Sequence, residues 1–151
     1  TVPASMIDDL EATKAEAEEN EAVVDYKVNE DGSITYTYKK SEYDKIVAEM
    51  RSGFDTLVAE QLASGDYTTL SSITGDDDLQ NVTLTVTNQQ DYENTFDGFI
   101  IFGLYFYAGY YQIYSGDAPT EDDIQTTFHF VDGTNGVEFD TIVYPDALET
   151  E

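Results

Sequence analysis

Apolar and polar residues alternate with period two over Val23–Val28 and again over Ser33–Lys39. Between them lies Asn29-Glu30-Asp31-Gly32, and Asp-Gly between alternating runs predicts a β-hairpin. The period then lengthens. Tyr43, Ile46, Val47, Met50, Phe54, Leu57, Val58 and Leu62 recur at i, i+3, i+4, i+7 spacing, which predicts one helix with a continuous core face ending near Gly65. Ser41 and Asp44 have capping-box spacing at its start. A second hairpin is expected from Tyr67–Ile73, an acidic turn at Gly75–Asp78, and Val82–Thr87. Thr87 and Gln90 offer another capping box, and a Tyr-rich helix is expected from Gln90 to Tyr114, stopped by Ser115-Gly116 and Pro119. Ile124–Val131 and Val137–Tyr144, around a turn with two glycines, predict a closing hairpin. Before all this, Asp8–Asn20 reads as an acidic helix with a thin apolar stripe of Ile7 and Leu10.

The pattern therefore predicts an α+β fold in ββα-ββα-ββ order. One antiparallel sheet would draw on all three hairpins, with the two main helices packed on one face. A chain of 151 residues suits a single domain. It divides into a lead with its acidic helix (1–21), a first ββα unit (22–64), a second (66–115) and the closing hairpin (120–145). Ile34-Thr-Tyr-Thr-Tyr38 parallels Val82-Thr-Leu-Thr-Val86, and Glu42-Tyr43-Asp44 parallels Asp91-Tyr92-Glu93. These matches suggest an internal duplication of the ββα unit.

Four short segments also carry a family likeness. They are Asn29-Glu30-Asp31-Gly32-Ser33 with its Thr-alternating strand, the Lys39–Met50 helix entry, the Tyr92-Glu93-Asn94 helix start, and Val143-Tyr144-Pro145-Asp146. In these the chain resembles the uncharacterised surface lipoproteins of gut Firmicutes. The resemblance implies export and anchoring at the cell surface through an upstream lipidated Cys. It implies no activity and transfers no catalytic residue.

Charge changes the picture most. Asp and Glu number 32 against 6 Lys and Arg, a net charge of −26. Such a chain lacks the basic clusters that phosphate binding needs, so nucleic acid is excluded as a partner. Anionic membrane surfaces repel it too. Basic proteins, cations, peptides and neutral glycans remain, and self-repulsion is expected to keep it monomeric. The absence of Cys excludes disulfides and thiolate metal sites. Phe99–Tyr114 is uncharged over 16 residues, short of the roughly 20 a bilayer needs, so it is expected to be a buried helix of a soluble core.

Candidate chemistry is sparse. His129, the single His, alternates with Phe128 and Phe130 and is expected on the solvent side of a strand. No Gly-x-Ser-x-Gly elbow or zinc-protease motif accompanies it. Catalytic residues are therefore expected to be absent, with a carboxylate-dependent hydrolase or enzyme accessory domain as the alternative. Asp76, Asp77 and Asp78, and Glu121, Asp122 and Asp123, are dense enough in hard oxygen donors to attract calcium, though neither follows the EF-hand pattern. Tyr107, Tyr110, Tyr111 and Tyr114 share one helical stripe. It reads either as an aromatic platform for sugar or peptide or as a core stripe with its hydroxyls bonded at the margin. The functional expectation is a non-catalytic extracellular binding module.

Repulsion among so many carboxylates opposes the compact state, and salt screens it over about 8–10 Å. Mild acid is expected to stabilise as well, because like-charged neighbours raise carboxyl pKa values. The melting temperature should rise as sodium chloride is added from low to moderate concentration. At matched ionic strength, magnesium and calcium curves should coincide if the acidic clusters are solvated turns and separate if calcium has a dedicated site. A flat or falling melting temperature in sodium chloride would refute the repulsion argument.

Overall fold

The fold is taken from a computed structural model and covers residues 1–146; the expected domain limit at 151 lies outside the described residues. It is α+β, with helices α1 (Leu10–Glu19), α2 (Lys40–Ser64), α3 (Gln89–Tyr92) and α4 (Ile100–Ser115). The strands are β1 (Val23–Val28), β2 (Ile34–Tyr38), β3 (Leu70–Gly75), β4 (Asn81–Val86), β5 (Thr126–Asp132) and β6 (Glu138–Tyr144). All three hairpins form where the turn residues predict them. Gly32 sits at φ +84°, a conformation that costs a residue without a Cβ little.

The sheet differs from the expectation in two ways. Strands β1 and β2 stand apart as a two-stranded ribbon, while the other four make a mixed sheet in the order β3-β4-β5-β6. Within it β4 and β5 run parallel, with Leu84 beside Phe130. The reason for the parallel step is α4. A helix that leaves one strand and crosses back over the sheet delivers the next strand in the same direction. The ribbon, in turn, carries Tyr36 and Tyr38 toward the end of α4 instead of pairing with a sheet edge. The two ββα units consequently do not repeat in space: α2 packs on α4 and β3, outside its own hairpin.

The sheet's inner face supplies Ile73, Val82, Leu84, Val86, Phe128 and Phe130, all buried. Phe54 and Val58 of α2 and Ile100, Ile101, Leu104, Ala108 and Tyr111 of α4 close over them. The rest of the α2 stripe is only half-buried. Gly53 lets the helices meet, since a Cβ there would stand 2.2 Å from the Tyr107 hydroxyl oxygen. Helix α2 begins one residue before the anticipated cap: Lys39 holds the N-cap position without a side-chain bond, and Asp44 pairs with Lys40. At α3 the cap is Asn88, which accepts from the Asp91 amide, instead of Thr87.

The Tyr-rich helix is broken. Asn94 and Thr95 donate back to the Gln90 and Tyr92 carbonyls, and such local bonds compete with helix continuation. Buried Asp97 then accepts from the amide and hydroxyl of Thr69, at 2.8 and 2.6 Å. This tether fixes a short 3₁₀ turn (Asp97–Phe99) from which α4 starts.

Phe54 has no exposed surface and lies under the Arg51 guanidinium, 5.6 Å from its ring centroid. Phe54→Ala should cost about 3–5 kcal/mol, as large-to-small changes at packed aromatic sites do. Urea titration checks it, and a loss below about 1 kcal/mol would show that the α2–α4 seam is not core.

Candidate functional site

The tyrosine stripe does not form a platform. The Tyr107 hydroxyl donates to the Met50 carbonyl at 2.9 Å and Tyr111 to the Asp77 carbonyl at 3.0 Å, so both serve as ties between elements. Tyr110 stands on the exposed side and Tyr114 borders a separate cleft at the end of α4. Tyr107 and Tyr111 pack at the core with their hydroxyls bonded at its margin.

What α4 and the turn before it expose is a row that shares only Tyr110 with that stripe. Phe96 is 83% exposed, Phe99 61%, Phe102 39%, Phe106 66% and Tyr110 43%. Rings 96 and 99 stack at 5.8 Å, rings 99 and 102 at 5.9 Å, and Phe102 meets Tyr144 edge-on at 5.8 Å. Two grooves lie along the row. One, of about 400 Å³, runs between Phe96, Phe99 and Phe102 on one side and Ile142 and Tyr144 on the other, with Glu93 at its border. The other, of about 460 Å³, runs between Phe106 and Tyr110 and Met6, Ile124 and Pro145, with Asp8 and Glu121 at its border. Among the described residues, no Lys or Arg lines either.

Sequence reasoning missed this row because it treats a helix that is apolar all round as buried all round. The signal was present: positions 96, 99, 102, 106 and 110 repeat at three- and four-residue steps, a second stripe beside the inward one.

The acidic clusters are engaged by hydrogen bonds within their turns and from Ser5 and Tyr111. Asp76 accepts from the Asn81 amide and side chain, Asp78 from the Gln80 amide, and Asp77 contributes its carbonyl to Tyr111. Glu121 accepts from Ser5, Asp123 closes a capping box with Thr120, and Asp122 is exposed. Among the described residues, no group of three or more His, Asp or Glu side chains is placed to share an ion. His129 lies on the face opposite Phe128 and Phe130, half-buried between Glu138 at 3.1 Å and Asn81 at 3.4 Å. No helix among the described residues is long and apolar enough to cross a membrane.

Among the described residues, four carboxyl groups depart from the charge argument. Asp31 is held low by the Ser33 hydroxyl and amide, and Asp132 by those of Thr134. Glu138 is held low by Thr141 and then His129. Burial pushes Asp76 up, yet the bonds from Asn81 outweigh it and leave the group low. Asp78 alone moves up, through burial and the neighbouring Asp76. The expectation that mild acid stabilises is therefore corrected at these groups: turn hydrogen bonds to the ionised form outweigh repulsion.

No protein-family model matches the chain, and no curated protein or solved structure matches it either.

A folded pKa below the unfolded one stabilises above the unfolded value, and that stability is lost as pH falls through the folded value. The ordinary values here are 3.8 for Asp and 4.5 for Glu, so the loss falls in the acid range below them. In about 0.5 M sodium chloride, where general repulsion is screened, the melting temperature should hold steady above about pH 4.5 and fall as pH is lowered from there through the folded values. A rise on acidification would show that repulsion still dominates.

Proposed function

We propose that the chain is a non-catalytic interaction module, carried by an anchored lipoprotein on the outside of a bacterial cell. It docks a partner through the outward aromatic face of α4. The observation that carries the docking is the exposed row Phe96, Phe99, Phe102, Phe106 and Tyr110. Aromatic residues concentrate binding energy at interfaces because they bury large rigid area at small entropic cost. The four segments that resemble those of surface lipoproteins support the compartment, and the acidic, Cys-free composition is compatible with it.

Charge selects the partner. Glu93, Asp8 and Glu121 border the grooves, and the molecule carries −26 in all. A second copy would bring the same charge to the same rim. The fitting partner is a protein that presents an apolar helix or strand flanked by Lys or Arg, so that a dry centre is ringed by opposite charge.

An amphipathic peptide of leucine and lysine should bind saturably, whereas its glutamate counterpart and a leucine-free lysine peptide should not. The double substitution Phe99→Ser with Phe106→Ser should weaken binding by roughly tenfold or more while leaving the melting temperature in place, because both rings are exposed. Unchanged affinity in that variant would remove the face from the binding site. Concentration-dependent dimerisation abolished by the same variant would instead assign the face to self-association.

A further inference from the structure

A second concavity lies at the far end of α4 and shares no lining residue with the two grooves of the docking face. It holds about 430 Å³ between β2, the start of α2 and the last turn of α4. Four tyrosines line it: Tyr36, Tyr38, Tyr43 and Tyr114. The first three run in a row, with centroids 5.9 Å apart between 36 and 38 and 6.4 Å between 38 and 43. Tyr114 comes from α4, a separate element. Tyr43 is pinned, its hydroxyl donating to the carbonyls of Tyr114 and Ser115 at 2.9 and 2.8 Å.

Helix α4 ends here with no basic residue in its last turn, so its terminal carbonyls present the negative end of the helix dipole. Asp44 lines the cleft, and Asp117 and Glu16 stand close enough to act on Tyr43 and Tyr36. Lys40 is the one Lys or Arg in the lining and its ammonium is paired with Asp44 at 2.9 Å on the solvent side, while Thr1, with the amino group of this chain, borders the cleft as a second positive group. The positive end of α2 already holds Glu42 and Asp44. Burial above all, then the Tyr114 and Tyr36 hydroxyls, pushes Tyr38 up to about 12, so the rings stay neutral and their faces electron-rich at physiological pH.

We propose that this four-tyrosine cleft binds an organic ammonium cation, its alkylated nitrogen held against the ring faces and drawn by the carboxylates and the end of α4. Aromatic rings attract such cations through their quadrupole, within about 6 Å of the centroid, and alkyl groups on nitrogen suit an apolar lining that bare ammonium does not. A neutral sugar would need the hydroxyls; an ammonium ligand needs the rings. The cation can come free or as the methylated lysine side chain of a peptide.

The probes are choline and its uncharged carbon isostere 3,3-dimethylbutan-1-ol, titrated by calorimetry and NMR against the full chain at constant ionic strength. Choline should bind saturably and the isostere about tenfold more weakly or worse, the size of a partly desolvated cation–π contribution. Tyr38→Ala and Tyr114→Ala should each lose binding by a similar factor, while Tyr114→Phe, which keeps the ring, should retain it within about threefold. N-acetyl-trimethyllysine amide against its unmethylated form then separates the two sources. Equal binding of choline and its isostere would overturn the proposal, as would loss in Tyr114→Phe or the absence of a saturable shift. Choline binding lost in the Phe99→Ser, Phe106→Ser variant but kept in Tyr38→Ala would overturn it too, by placing the cation on the docking face.

Discussion

The seat of α4 on the mixed sheet is the contact on which the rest of the molecule depends. Leu104, Ala108 and Tyr111 lie over Val82, Leu84, Phe128 and Phe130, and Phe54 of α2 closes the other flank. A buried side chain secures the register. Gln112, with no exposed surface, places its amide nitrogen 3.1 Å from the Leu79 and Gln125 carbonyls and the Thr126 hydroxyl, sharing its two hydrogens among them, and accepts from the Gln125 amide at 3.3 Å. A fully satisfied buried amide specifies one arrangement, because any shift would strand polar groups in the core. Through Gln112 the helix holds the β3–β4 turn and the start of β5 together, which places β5 against β4.

That seat also creates the exposed face. A helix resting on a sheet, flanked by one other helix, has a side left over. On a helix without a single charged residue that side is aromatic. The acids are instead spread over turns, α1 and the outward face of α2. They leave the uncharged patch on α4 surrounded by negative charge, which is the charge contrast that the proposed docking rests on.

The two proposed sites follow from the length and pitch of the same helix. Along its side the residues at 99, 102, 106 and 110 reach solvent; at its end the backbone carbonyls and Tyr114 meet the ribbon's tyrosines. The ribbon is therefore more than a leftover hairpin. Ile34, fully buried and bridged to Val2, anchors it, and Tyr36 and Tyr38 form one wall of the cleft.

The α+β class, the three hairpins and the α2 stripe were legible in the sequence, because period and turn chemistry are local properties. Asp31-Gly32 and the alternation beside it need nothing beyond their own backbone. The break before α4 was not legible, since Asp97 resembles a flanking surface acid until Thr69, 28 residues away, is brought to its carboxylate. Separation of the ribbon and the parallel β4–β5 step were likewise hidden, because alternation says which face a residue takes and nothing about which edge a strand joins. The two stripes of α4 were both written in its spacing, yet only packing could choose between them. Burial is decided by how many neighbours the assembled sheet and helices can place around one helix, and here they cover the side of Leu104 and Ala108 and leave that of Phe99 and Phe106 to solvent.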